Sequence, residues 1–161
     1  MNSTLSEAEA VLKEARIKGV RIACAESCTG GMVSSALTDI AGSSDVFNGS
    51  AVTYSNEAKM KILGVKGETL KQFGAVSSEC AVEMAEGALR IYDADYAVST
   101  TGIAGPDGGS ESKPVGTVWF GIASKNGESH SFIEKFQGNR GEVRRSAVRF
   151  ALCELLKMIH G

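Results

Sequence analysis

Val20-Arg-Ile-Ala-Cys-Ala25 runs into Glu26-Ser-Cys-Thr-Gly-Gly31, and from Met32 a helical pattern continues to about Ile40, ended by Ala41-Gly42. A short strand-like run, a glycine turn and a helix, in that order, open an α/β domain. Upstream, Ser6 and Glu9 have capping-box spacing, and Ala8, Val11, Leu12 and Ala15 recur at helical spacing before Gly19. Downstream, residues 50–54 read as a second strand, and Ser55-Asn56-Glu57 opens a helix ending near Gly64. A short helical piece is predicted over 68–73, a longer helix over about 78–92, and a third strand over 95–100. In the longer helix Val82, Ala85 and Leu89 share a face with Ala81, Met84, Ala88 and Ile91 beside them, which predicts a deeply packed helix. Strands over 117–124 and 129–136 flank Asn126-Gly127, a type I′ hairpin signal. A last helix runs from about Arg140 to Ile159. The pattern predicts an α/β fold: a mixed sheet of about five to six strands with helices on both faces, as one domain over 1–161.

The composition bounds the function. The 161 residues are 43% hydrophobic and 22% charged, ordinary for a globular domain and contrary to disorder or a collagen-like chain. Seventeen basic against nineteen acidic side chains give a net charge of −2, which disfavours a nucleic-acid binder. The polar, acidic start lacks the features of a signal peptide, and no apolar run approaches the ~18 residues of a membrane span. Four scattered cysteines then read as reduced thiols, and the expected location is the cytoplasm.

Four constellations carry chemistry. In Ala25-Glu-Ser-Cys-Thr-Gly-Gly31, Ser27 and Cys28 are candidate nucleophiles at the C-terminal end of a strand, beside the free amides of a helix start. Gly30 and Gly31 allow close backbone approach, while Ser27 or Thr29 serves equally well as a helix cap. In Thr53-Tyr-Ser-Asn-Glu-Ala-Lys59, Tyr54 and Lys59 can converge on one cleft, where burial would lower the lysine pKa and make it a base; an exposed lysine is the plainer reading. The Tyr–Lys spacing is one residue too long for short-chain dehydrogenases, a helical offset of ~100°, so that chemistry is set aside. The loop from Thr101 to Gly109 holds Gly102, Gly105, Gly108 and Gly109; it lacks the order of a dinucleotide fingerprint but suits a phosphate nest. Finally, Arg140, Arg144, Arg145 and Arg149 crowd the start of the last helix, against its dipole, which calls for a phosphate, an acidic partner or a solvated face. The cysteine spacing and two isolated histidines give no metal site.

Together, Ala-Glu-Ser-Cys-Thr-Gly-Gly (25–31), Val-Thr-Tyr-Ser-Asn-Glu-Ala-Lys (52–59), Gly-Ala-Val-Ser (74–77), Thr-Gly-Ile-Ala-Gly-Pro-Asp-Gly-Gly (101–109) and Lys-Pro-Val-Gly-Thr-Val-Trp (113–119) resemble the CinA C-terminal domain family, over roughly residues 6–155. That family includes bacterial nicotinamide mononucleotide deamidases. The resemblance implies a three-layer α/β/α fold, the stand-alone form of the module, no cofactor and no metal. It also implies hydrolysis of the nicotinamide mononucleotide carboxamide to nicotinate mononucleotide and ammonia, in pyridine nucleotide (NAD) salvage. Ser27 is implied as nucleophile, with Tyr54 and Lys59 completing the site. Substrate contacts are expected from Thr29, Gly30, Gly31, Ser77, Thr101, Gly102, Ile103, Ala104, Gly105, Asp107, Gly108, Arg140 and Arg144. On this reading amides around Thr29–Gly31 hold the oxyanion, and Lys59 takes the serine proton directly or through Tyr54. The expected partner is the small nucleotide alone, with no nucleic acid or membrane, and the chain is expected to form a homo-oligomer. The competing readings are a non-catalytic nucleotide-binding or regulatory module, in line with the family's historical link to competence and DNA damage, and an oxidoreductase.

Overall fold

A computed structural model describes residues 3–161. The elements are α1 (Ser3–Lys18), β1 (Ile22–Glu26), α2 (Met32–Thr38), β2 (Phe47–Val52), α3 (Asn56–Leu63), α4 (Gly67–Phe73), α5 (Ser78–Tyr92), β3 (Tyr96–Gly102), β4 (Thr117–Ser124), β5 (Ser129–Lys135) and α6 (Arg140–His160). One five-stranded sheet has the order β2-β1-β3-β4-β5. β1 pairs in parallel with β2 and β3, and β3, β4 and β5 pair antiparallel, so the sheet is mixed.

β1 is central and buried along its whole length, as a strand covered on both faces must be. Its side chains alternate between two cores. Ile22 and Cys24 join Val98, Phe120 and Ile122 beneath α1, α2 and α6, against Leu12, Val33, Leu152 and Leu155. Ala23 and Ala25 join Ala51 and Ala97 on the opposite face, against Leu63, Met84 and Ala88 of α3 and α5. Helices therefore cover both faces, in three layers. Among the described residues no helix is long and apolar enough to cross a membrane.

The second face is paved with small residues, and α5 lies very close to it. Ser99 Oγ donates to the Ala81 carbonyl at 2.5 Å and accepts the Gly121 amide at 3.0 Å. A Cβ placed on Gly121 would stand 2.1 Å from that same Ala81 oxygen, so only glycine fits there.

Several local expectations are corrected. α1 already includes Ser3, so Ser6 lies inside the helix and is not its cap. β1 starts two residues later than expected and takes in Glu26, while β2 spans Phe47–Val52, earlier than residues 50–54. α2 stops at Thr38. The hairpin turn is not type I′, because Gly127 has positive φ and Asn126 does not. The Ser124 amide bonds Glu128, enclosing three residues, and a three-residue loop adopts a type I turn followed by one left-handed residue. α6 begins at a capping box absent from the sequence reading: Asn139 accepts the Glu142 amide, and the Glu142 carboxylate accepts the Asn139 amide. That carboxylate in the first turn offsets part of the arginine crowding.

Candidate active site

The C-terminal ends of β1, β2 and β3 lie side by side, and their backbones fix the site. The Ser27 amide donates to the Thr100 carbonyl at 3.0 Å, and the Thr53 amide donates to the Glu26 carbonyl at 2.8 Å. The chain leaving β2 is thereby held beside the turn that carries Ser27. Ser55 then caps α3, its side chain accepting the Ala58 amide at 3.1 Å. The helix carries Lys59 back toward β1.

Lys59 is 1% exposed. Its Nζ lies 3.1 Å from Ser27 Oγ and donates to the Tyr54 carbonyl at 3.1 Å. Burial pushes its pKa below the ordinary lysine range. Burial also pushes the Cys28 thiol up to about 12, so this neighbour stays protonated at neutral pH. Of the two candidate nucleophiles, the serine is the one set against a weakly basic amine.

Ser27 and Lys59 open onto a cavity of about 240 Å³, also lined by Tyr54, Thr101, Gly102, Ala104 and Arg140. Cys28, Asn56, Ala75 and Val76 complete the lining. The last three were not selected from the sequence. Asn56 had a signal, its place just after the cap of α3; Ala75 and Val76 carried no chemical signal. Thr101 Oγ1 donates to the Ala75 carbonyl at 2.9 Å and so draws the 74–77 segment to the pocket.

The remaining expected site residues are placed differently. Ser77 caps α5: its hydroxyl donates to the Gly74 carbonyl and accepts the Cys80 amide. Thr29 is wholly buried, donating to Glu26 and meeting the Thr100 hydroxyl at 2.7 Å. Ile103 ties the loop to Thr117 and Gly116 through its backbone, and Asp107 and Gly108 are exposed outside the cavity lining. Gly105 offers its carbonyl to Arg140 Nη1 at 2.7 Å, while Arg140 Nη2 reaches the Tyr54 hydroxyl at 3.3 Å. Arg144 grips the Ser27–Gly31 turn instead of lining the cavity, donating to the carbonyls of Cys28 at 3.0 Å and Thr29 at 3.2 Å.

The expected oxyanion amides are also corrected. The Gly30 amide bonds the Ser27 carbonyl, and the Gly31 amide bonds the Glu26 carboxylate, so neither is free. Glu26, fully buried, had not been singled out. Its carboxylate takes the amides of Gly31, Val33 and Ser34 at 2.9–3.1 Å, occupying the start of α2 that the sequence offered to a ligand.

A scan against family models matches the CinA C-terminal domain over residues 4–159. The nicotinamide-nucleotide amidohydrolase PncC of Shigella flexneri is 56% identical over 144 residues, 89% of this chain and 87% of that protein. The protein of the same name from Escherichia coli K12 matches to the same extent. Among solved structures, the competence/damage inducible protein CihA of Agrobacterium tumefaciens superposes with a TM-score of 0.95 at 42% identity, covering 100% of this chain and 98% of that one. With the family model spanning nearly its whole length, this chain belongs to the CinA C-terminal domain family.

Proposed function

We propose that the protein is a nicotinamide-nucleotide amidohydrolase, releasing ammonia and nicotinate mononucleotide from nicotinamide mononucleotide in pyridine nucleotide salvage. Its relatives carry that name. The observation that carries the mechanism is Lys59 Nζ, buried and 3.1 Å from Ser27 Oγ at the floor of the cavity.

Neutral Lys59 has one lone pair and two N–H bonds. With one N–H on the Tyr54 carbonyl, the lone pair is free to accept the Ser27 proton. As that proton moves to Nζ, Oγ forms a bond to the carboxamide carbon, whose attached pyridinium ring withdraws electrons. The oxyanion falls to the amide of Cys28, which lines the cavity and to which no hydrogen bond among the described residues is assigned. Lys59 returns the proton to the nitrogen as the C–N bond breaks, and ammonia leaves. Water then attacks the Ser27 ester, its proton passing through Lys59 back to Oγ. Tyr54 serves through its carbonyl, and its hydroxyl, held on Arg140, stands outside the proton path.

The test is ammonia release from nicotinamide mononucleotide by wild type, Ser27→Ala and Lys59→Met. Loss of a nucleophile that works as a unit with its base lowers kcat by at least ~10³-fold. Loss of the base alone costs ~10²–10⁴-fold. A Ser27→Ala enzyme with near-normal turnover refutes the mechanism. A folded wild type that binds the mononucleotide without releasing ammonia refutes the activity and leaves a binding module.

A further inference from the structure

We propose that Glu26 is a positioning residue for Ser27, its buried carboxylate locking the nucleophile turn onto the start of α2 so that Oγ stays within reach of Lys59. The kinetic arm of the test rests on the amidase reading above; the structural basis does not.

Glu26 is 0% exposed and makes six polar contacts, all with donors. Oε1 accepts from Thr29 Oγ1 at 2.6 Å and from the amides of Val33 at 2.9 Å and Gly31 at 3.1 Å. Oε2 accepts from Ser34 Oγ at 2.7 Å, the Ser34 amide at 3.0 Å and Ser50 Oγ at 3.3 Å. Among the described residues, no cation is in ion-pair contact with it. A buried charge without a counter-ion is tolerable only where hydrogen bonds replace its hydration, and the positive end of a helix supplies them.

Two consequences link this arrangement to the reaction. First, consecutive residues of an extended chain point to opposite faces. Glu26 points to α2 in one layer while Ser27 meets Lys59 of α3 in the other. Any rotation of the Glu26 side chain's seat is passed to Ser27 through a single peptide. Second, the carboxylate claims the Gly31, Val33 and Ser34 amides, so the turn cannot swing to bring them to a ligand anion. The nucleophile is therefore placed by an internal anion, ahead of substrate binding.

Glu26→Gln keeps the volume but removes the charge and turns an NH₂ toward donors that need an acceptor. Misplacement of a reacting group by ~1 Å costs about 10²-fold. In the folded variant, kcat for ammonia release is expected to fall ~10–100-fold, with KM for nicotinamide mononucleotide largely unchanged. Mass spectrometry follows, in parallel, the rate at which an organophosphonate fluoride labels Ser27. This arm needs no turnover, and the labelling rate is expected to fall along with kcat. A purely structural Glu26 would lower the melting temperature but leave kcat and labelling at wild-type levels well below that temperature. That outcome overturns the proposal. Ser34→Ala removes the shorter Oε2 contact while keeping the carboxylate, and decides the matter by the same two readouts if Glu26→Gln does not fold. It is expected to lower kcat and labelling severalfold, and wild-type values there overturn the proposal. If wild type is labelled at Ser27 but releases no ammonia, the amidase reading fails and the labelling arm still decides Glu26. A wild type that is neither labelled nor active removes both.

Discussion

Lys59 holds an amine in a place where its charged form is disfavoured. Because burial lowers its proton affinity in the folded state, the unfolded chain binds more protons between the lowered value and the ordinary lysine pKa of ~10.4. Stability therefore rises with pH across that window, and the full penalty is present below it. Lys59→Met removes the penalty at similar volume. The expected result is a higher melting temperature at pH 7, at ~2–4 °C per kcal/mol gained for a chain of this size. That gain should shrink as pH rises through the window and vanish only well above about pH 10.4, where the amine is neutral in both states. Scanning calorimetry at several pH values checks this. In the wild type, kcat/KM should climb with pH as Lys59 loses its proton and then level off, since only the neutral amine accepts the Ser27 proton. A profile with no rise anywhere between about pH 5 and 10 would mean that Lys59 is not the base. Glu26 lies at the same scale and shows where reading by residue type stops. In the sequence it is one acid at a strand end, and nothing local says that six donors converge on it.

At the scale of the element, α5 depends on the smallness of what it covers. Ala23, Ala25, Ala51 and Ala97 form the floor, and Gly121 lets the Ala81 carbonyl approach the sheet. Gly121→Ala puts a methyl 2.1 Å from that oxygen and must push α5 outward, weakening the bond from Ser99 to Ala81. Overpacking of this kind costs ~1–3 kcal/mol. Chemical denaturation should show the lower midpoint, and an unchanged midpoint would refute the close packing. α6 carries a second lesson. Its arginines at the N-terminal end left a phosphate, an acidic partner or a solvated face open, and in the fold Arg144 holds the carbonyls of Cys28 and Thr29 while Arg149 pairs with Glu7. Arg140 alone of these four reaches the cavity lining. Basic residues at a helix start face several directions, and which ones meet backbone oxygens depends on what the fold sets opposite them.

For the whole molecule, one sheet shares its two faces between two cores, and the cavity draws residues from β3, α3, α6 and the segments that follow β1, β2, α4 and β3. The site has no existence apart from the sheet. Ammonia release and the fluorescence of the single tryptophan, Trp119 on β4, are therefore expected to disappear at the same denaturant concentration. Activity lost well before the fluorescence change would show a site that opens independently. The alternation of apolar residues, the glycine stops and the strand–turn–helix order determined the element order, the mixed sheet and the helices on both faces, because period and punctuation are local properties. Spacing alone left Ser27 level with Cys28 and with a helix cap, and left Lys59 as an exposed lysine in its plainer reading; the resemblance to the CinA C-terminal domain family is what singled out Ser27, Tyr54 and Lys59. Only the tertiary structure decided that the amine meets Ser27 while Cys28 stays protonated, and that Tyr54 contributes its carbonyl. It likewise decided that Glu26 occupies the α2 start and that Ser77 is a cap. These are matters of burial and of which donor meets which acceptor, at separations from 3 to 32 residues along the chain, and the periodicity of the sequence does not encode them.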